Sequence, residues 1–367
     1  MPMPMPMPAP LTWERAFTVW TAHPLLLALA GLAVLGYLVA VQALNSRHPQ
    51  ARWPRWRTAA FLAGVGVVVV AVCGSPGTYG EVLFWVHMVR HLMLIMIAPW
   101  LLALGYPVTL ALRATRGRAH RRLRAALRSA PVAAVTHPLA VTALYLVVVA
   151  GVHLTGFMQA MAEHPVLGPV ENAAYLVTGY LFCATFLTEE PSRWDRPYPI
   201  RLFLGFVAMM ADTIVGVILL QSTTVPWPAY AQPHRGWGPS PLDDLHGGAA
   251  VMWIGGDGLM LVMMIVLAAR WLTDPRVQAA GAGRWLESAR RAALADIDHT
   301  AGTDHTAGTD RTGDAARDTG AGGRTILAST DVDDDDAALA AYNAMLARLA
   351  RHSTPGAPPP HRPTTPG

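Results

Sequence analysis

Charge is scarce in this chain. Only 14% of its 367 residues are Asp, Glu, Lys or Arg, against about 25% in a soluble globular protein. Lysine is missing altogether, so all 28 basic residues are arginine, and against 24 acidic residues they leave a formal net charge of +4. No basic patch interleaved with aromatics is present, which excludes nucleic acid as a partner. Cysteine is nearly absent too. Cys73 and Cys183 form no CxxC or zinc-type pattern. They fall at different depths in different apolar stretches, which argues against a disulfide, since the Cα atoms would have to come within about 7 Å. No nucleophile–base pair, phosphate-binding loop or HExxH motif occurs, so nothing argues for an enzyme. The opening Met-Pro repeat lacks the positive stretch of a signal peptide, and the first apolar run is expected to act as an uncleaved anchor.

Long hydrophobic runs are what the chain does have. Seven lie at about 24–44, 58–73, 82–104, 134–154, 170–188, 200–221 and 246–272. A bilayer core about 30 Å thick takes roughly 20 apolar residues per helix. Lipid admits only helices and closed barrels, and barrel-type alternation is absent. The expected fold is therefore all-α: a polytopic membrane bundle of seven transmembrane helices. Arginine sets its direction. Arg47, Arg52, Arg55 and Arg57 fill one loop; Arg113, Arg116, Arg118, Arg121, Arg122, Arg124 and Arg128 fill another; Arg193 and Arg196 mark a third. The alternate loops hold only Arg235. The positive-inside rule then puts the N-terminus outside and the C-terminus in the cytoplasm, as expected for a multi-pass protein of a bacterial plasma membrane.

The domain reading follows. Residues 1–23 form an extracytoplasmic segment and 24–272 the membrane domain. Residues 273–330 form a cytoplasmic linker in which His-Thr-Ala-Gly-Thr-Asp occurs twice in succession, a composition expected to stay disordered. Residues 331–352 predict a short amphipathic helix with Leu339, Tyr342, Met345, Leu346 and Leu349 on one stripe. Residues 353–367 are a Pro-rich tail expected to be disordered.

Within this frame His87 and His91 stand out. Residues i and i+4 share a helix face with Cβ atoms about 5–6 Å apart, close enough for two imidazoles to share one metal ion. Ionisable groups inside membrane helices are rare and by default mark function. The alternating direction of the helices brings His153, His246, Asp243 and Asp244 to the same outer third, with Glu171 and Asn172 at that end of the fifth helix. The candidate metal ligands are thus His87, His91, His153, Asp243, Asp244 and His246. Imidazole suits copper, zinc and iron. Each residue also has a plainer role open to it: hydrogen-bonded packing for the histidines, helix capping for the aspartates. His23 and His137 precede prolines at helix starts and read as structural, and His164 as a solvated loop residue. The methionines read as core or lipid-facing filler. Arg90, between the two histidines, needs a buried partner, and Asp257 or Asp212 is the expected one. Pro99 should kink the third helix.

The stretch His87-Met-Val-Arg-His91-Leu-Met-Leu, continuing through Ala98-Pro-Trp-Leu-Leu-Ala-Leu-Gly-Tyr-Pro107, resembles the signature of the CtaG family of bacterial cytochrome c oxidase assembly factors. So do Thr136-His-Pro138 and Asp243-Asp-Leu-His-Gly-Gly248, the latter leading to Met252-Trp-Ile-Gly-Gly-Asp257. The resemblance covers about residues 15–290 and implies seven helices. Arg90 stands where the family usually has Gln, Trp100 where a second Pro is common, and Asp244 where Gln is usual. The resemblance implies a non-enzymatic factor that builds a haem–copper oxidase, with copper, as Cu(I), the implied cargo and oxidase subunits the implied partners. Two other readings remain open. One is a haem-binding electron carrier using these histidines as axial ligands. The other is a copper transporter, for which only Asp212 and Asp257 lie on a path to the cytoplasm.

Overall fold

The computed structural model describes residues 8–194, 196–231 and 236–275, with scattered positions from 277 to 347. The Met-Pro start, the six-residue repeat and the Pro-rich tail lie outside the described residues. The chain divides into two compact units, Met1–Trp271 and Leu272–Gly367. In the second unit, Leu339, Tyr342 and Leu346 of the expected stripe are helical, and the Arg290 guanidinium lies 4.7 Å from the Tyr342 ring centroid.

Among the described residues every regular element is a helix. The membrane helices are α1 (Pro24–Arg47), α2 (Arg55–Cys73), α3 (Phe84–Leu92 running through Met93–Ile97 into Ala98–Leu104), α4 (Pro138–Leu154), α5 (Leu167–Leu187), α6 (Tyr198–Leu220) and α7 (Pro241–Ala250 running through Val251–Gly255 into Gly256–Thr273). Six spans are long and apolar enough to cross a membrane. The seventh is α4 taken with the short helix Phe157–Glu163, which bends away from it by 67°. The two cysteines are buried and free.

Prolines open α1, α4, α6 and α7 within their first two positions, where a missing N–H costs little. Before Pro99, residues Met93–Ile97 form a π-helical turn. A proline inside the helix cannot supply the usual N–H, and one wider turn absorbs the mismatch. The helix α3 ends at Leu104, with Gly105 as its C-cap. Tyr106 takes a left-handed backbone (φ 50°), sparsely populated by bulky residues, and its ring lies 4.1 Å from the Arg57 guanidinium.

The main core joins α2 to α7. The close approach of α5 to α3 rests on Gly179, where a Cβ would stand 2.1 Å from the Ile95 carbonyl oxygen. The approach of α7 to α3 rests on Gly248, where a Cβ would meet the Phe84 ring at 2.3 Å. Met96, Met260 and Met263 are core filler, as read from the sequence, and Met210 is exposed. By contrast α1 buries little: Tyr37 stacks on Phe61 with centroids 4.0 Å apart and donates to the Gly105 carbonyl at 2.8 Å.

The segment of residues 105–137 is not a plain loop. It folds into the helices Pro107–Ala114, Gly117–Leu127 and Ala130–Val135. At the same end, arginines satisfy the carbonyls that α5 leaves open at its C-terminus. Arg196 donates to Ala184 and Thr185, each at 3.2 Å, Arg201 to Phe186 and Arg270 to Leu187. Cations at a helix C-terminus also complement its dipole.

Candidate metal centre

The centre is built at the end of the bundle where α3, α5 and α7 begin and α4 ends. The start of α3 is fixed from outside. The Asp244 carboxylate on α7 accepts from the free backbone N–H groups of Phe84 and Trp85, at 3.0 and 3.1 Å. It thus does for α3 what an N-cap side chain normally does locally. One turn further on come His87, Arg90 and His91 on a single face. Glu171 enters from the first turns of α5, and His153 from the last turn of α4.

All five side chains are buried: His87 is 0% exposed, Glu171 1%, His153 3%, His91 4% and Arg90 5%. Glu171 is the hub. Its Oε1 lies 3.3 Å from His91 Nε2 and 3.5 Å from His87 Nε2, and its Oε2 accepts from Arg90 at 3.5 Å. The Arg90 guanidinium also reaches His87 Nδ1 at 2.7 Å. Arginine has no acceptor, so His87 Nδ1 must accept, and a neutral His87 carries its proton on Nε2, towards Glu171. On His153, Nδ1 donates to the Val149 carbonyl at 2.8 Å. That leaves the Nε2 lone pair free, the arrangement in which a second hydrogen bond orients a ligating imidazole. The His91 ring stacks on Tyr175 at 4.0 Å, meets His87 edge-on at 4.2 Å and His153 at 5.4 Å.

Among the described residues, His87, His91 and Glu171 are the group whose candidate ligand atoms lie within 4.8 Å of one another. Ligand atoms bound tetrahedrally at about 2.0–2.1 Å stand about 3.3 Å apart, close to the two Glu171 separations. The same atoms lack aligned partners. His87 Nε2, both nitrogens of His91, His153 Nε2 and Glu171 Oε1 are buried without a hydrogen bond, and leaving such groups unmade is costly. The donor set therefore fits a small cation. It fits axial haem ligation poorly, because the imidazoles meet edge to face with no flat slot between them.

The six residues singled out from the sequence divide in two. His87, His91 and His153 come together. Asp244 caps α3; Asp243 is exposed and hydrogen-bonds with Ser240 at the start of α7, at 2.6 and 3.2 Å; His246 Nε2 donates to the Ser222 carbonyl at 2.9 Å, tying α7 to the end of α6. The reading of Arg90 is corrected. It pairs with Glu171, whereas Asp212 accepts from Tyr145 at 2.7 Å and Asp257 from Thr213 at 2.6 Å. Glu171 lies on the helix packed against the histidine face and reaches the guanidinium first. Sequence reasoning had set Glu171 at the right depth without counting it a ligand. The signal was there, since a carboxylate in a membrane helix faces the bundle interior.

Fold and site together define a class: a multi-pass helical membrane protein with a buried histidine–carboxylate cluster at one end. The family of cytochrome c oxidase caa3 assembly factors (Caa3_CtaG) matches residues 35–274, and the chain belongs to it. It is also similar to uncharacterized proteins of Mycobacterium bovis and Mycobacterium tuberculosis, each 29% identical over 287 residues, 76% of this chain and 43% of the relative. A similar protein of Mycobacterium leprae is 28% identical over 265 residues, 70% of this chain and 40% of the relative. The chain thus spans less than half the length of these curated relatives. No solved structure matches it.

Proposed function

We propose that the protein acts in the bacterial plasma membrane as an assembly factor for a haem–copper cytochrome c oxidase, binding copper at its buried cluster for delivery to an oxidase subunit. Its role is assembly and not catalysis. His91 and, once Arg90 releases it, His87 would hold Cu(I), with Glu171 supplying the negative charge and His153 standing beside them. The family supports the assembly role, and the positive-inside rule would set the cluster on the extracytoplasmic side. One observation carries the copper reading: buried imidazole and carboxylate atoms converge on one point without hydrogen bonds of their own.

The test is Cu(I) stoichiometry and affinity by chelator competition on the full chain in detergent, with wild type beside His87→Ala/His91→Ala. The expected result is about one Cu(I) per chain in the wild type and none in the double variant. Copper retained in the double variant would move the ion off this cluster. No copper in either protein would leave a scaffold that assembles the oxidase without carrying metal.

A further inference from the structure

A cavity of about 470 Å³ opens at the arginine-rich end of the bundle, remote in the fold from the histidine cluster. Arg124, Arg128 and Arg193 stand on its walls with His120 and Ser192, and Leu112 and Leu127 supply apolar lining. It lies between the helices that follow α3 and the loop that follows α5, beyond the last turns of two membrane helices. The helix Gly117–Leu127 forms one side. Its Arg118, Arg121, Arg122 and Arg124 are exposed, while His120, Leu123 and Leu127, at spacings of three and four, are partly covered. His120 Nδ1 is bonded to the Leu112 carbonyl at 3.0 Å, which ties this helix to the one before it. Such a helix, cationic on one face and apolar on the other, suits the plane where headgroups meet acyl chains.

The charge here is strongly one-signed. Residues 105–133 contain seven arginines and no acid, and among the described residues no carboxylate lines the cavity. Two acids of the neighbouring loop are engaged elsewhere: Glu190 accepts from the Thr109 N–H at 3.3 Å, and Glu189 and Glu190 both act on Arg196. Guanidinium groups bind phosphate oxygens in a fixed fork geometry and tolerate an apolar surround better than ammonium groups do. Basic pockets between membrane helices at the headgroup level are where anionic lipids are held.

We propose that this cavity binds the headgroup of an anionic phospholipid. The phosphate faces Arg124, Arg128 and Arg193, the Ser192 hydroxyl donates to it, and the acyl chains leave past Leu112 and Leu127 towards the bilayer. A lipid is favoured over a free anion because Leu112, Leu127 and Pro191 give the cavity an apolar side and the site sits at the membrane ends of its helices. The site is independent of any metal at the other end.

The test uses the full chain in detergent, titrated with phosphatidylglycerol and, in parallel, phosphatidylcholine, with bound lipid counted by native mass spectrometry. Wild type is expected to retain one phosphatidylglycerol in preference to phosphatidylcholine. Arg124→Gln/Arg128→Gln/Arg193→Gln should weaken that affinity on the order of a hundredfold, the loss expected for three direct guanidinium–phosphate contacts. The control Arg118→Gln/Arg121→Gln/Arg122→Gln removes as much charge outside the cavity and should change affinity by less than about threefold. Ser192→Asp keeps every arginine and sets a carboxylate in the cavity; it should abolish the preference even if the triple variant folds poorly. Equal losses in the pocket and control variants would overturn the proposal in favour of diffuse surface charge. Displacement of the lipid by millimolar inorganic phosphate would overturn it in favour of a free-anion site.

Discussion

Removing the Glu171 carboxylate would leave the Arg90 guanidinium, only 5% exposed, without its counter-charge. Losing one partner of a buried pair costs about 3–5 kcal/mol. Glu171→Ala is therefore expected to melt well below wild type in detergent, and Arg90→Gln added to it should recover much of the loss. A double variant no more stable than Glu171→Ala would refute the pairing. A second residue-scale prediction concerns Glu190, in the loop after α5. Burial pushes its carboxyl up to about 7 from an ordinary 4.5. With the folded value raised, the folded state holds the extra proton between pH 4.5 and 7. Stability then falls as pH rises through that window, and the cost is full above pH 7. Glu190→Gln keeps an acceptor for Thr109 and should flatten the profile, gaining up to about 3 kcal/mol at pH 8 and nothing at pH 4. Thermal unfolding at the two pH values is the check. Spacing alone made the His87–His91 pair legible. The partner of Arg90 was not, because it depends on how α5 is rotated about its axis, and hydropathy does not record that rotation.

At the scale of elements, the seven apolar runs became seven helices with ends shifted by a few residues, since span length is set by the bilayer and the chain shows it directly. The π-helical turn was half legible. Pro99 announced an irregularity, but whether the helix would kink or widen depended on its neighbours. Gly179 decides much of this, because its missing Cβ lets α5 lie against the Ile95 carbonyl at the widened turn. Gly179→Ala should therefore separate α3 from α5 and spoil the cluster that both helices build. The expected outcome is a lowered melting temperature together with loss of the Cu(I) binding proposed for the cluster. Retention of both would show that the approach has slack. The arginines after α5 carry a similar lesson. Arg196, read as a topology signal, closes open carbonyls of that helix together with Arg201, a role invisible without knowing where the helix stops.

For the whole molecule, the direction of insertion proposed from the arginine distribution is open to direct test. Gly156 and Ala119 are exposed at opposite ends of the bundle, and the native Cys73 and Cys183 are buried. In intact cells a membrane-impermeant maleimide is expected to label Gly156→Cys and to spare Ala119→Cys until the membrane is opened. The reverse pattern would put the histidine cluster in the cytoplasm and sink its proposed traffic with an extracytoplasmic copper site.

The buried cluster also has a valence. Glu171 contributes one negative charge and Arg90 one positive, so the enclosure is neutral before anything enters. A singly charged ion admitted while the guanidinium swings outward leaves that sum unchanged, one cation exchanged for another. A doubly charged ion admitted the same way leaves one positive charge stranded in a medium that penalises it by several kcal/mol. Imidazoles accept copper and zinc alike. What would tell the ions apart is the count of charge around Glu171, so Arg90→Glu, which adds a second carboxylate to the enclosure, should shift the preference from Cu(I) towards Zn(II).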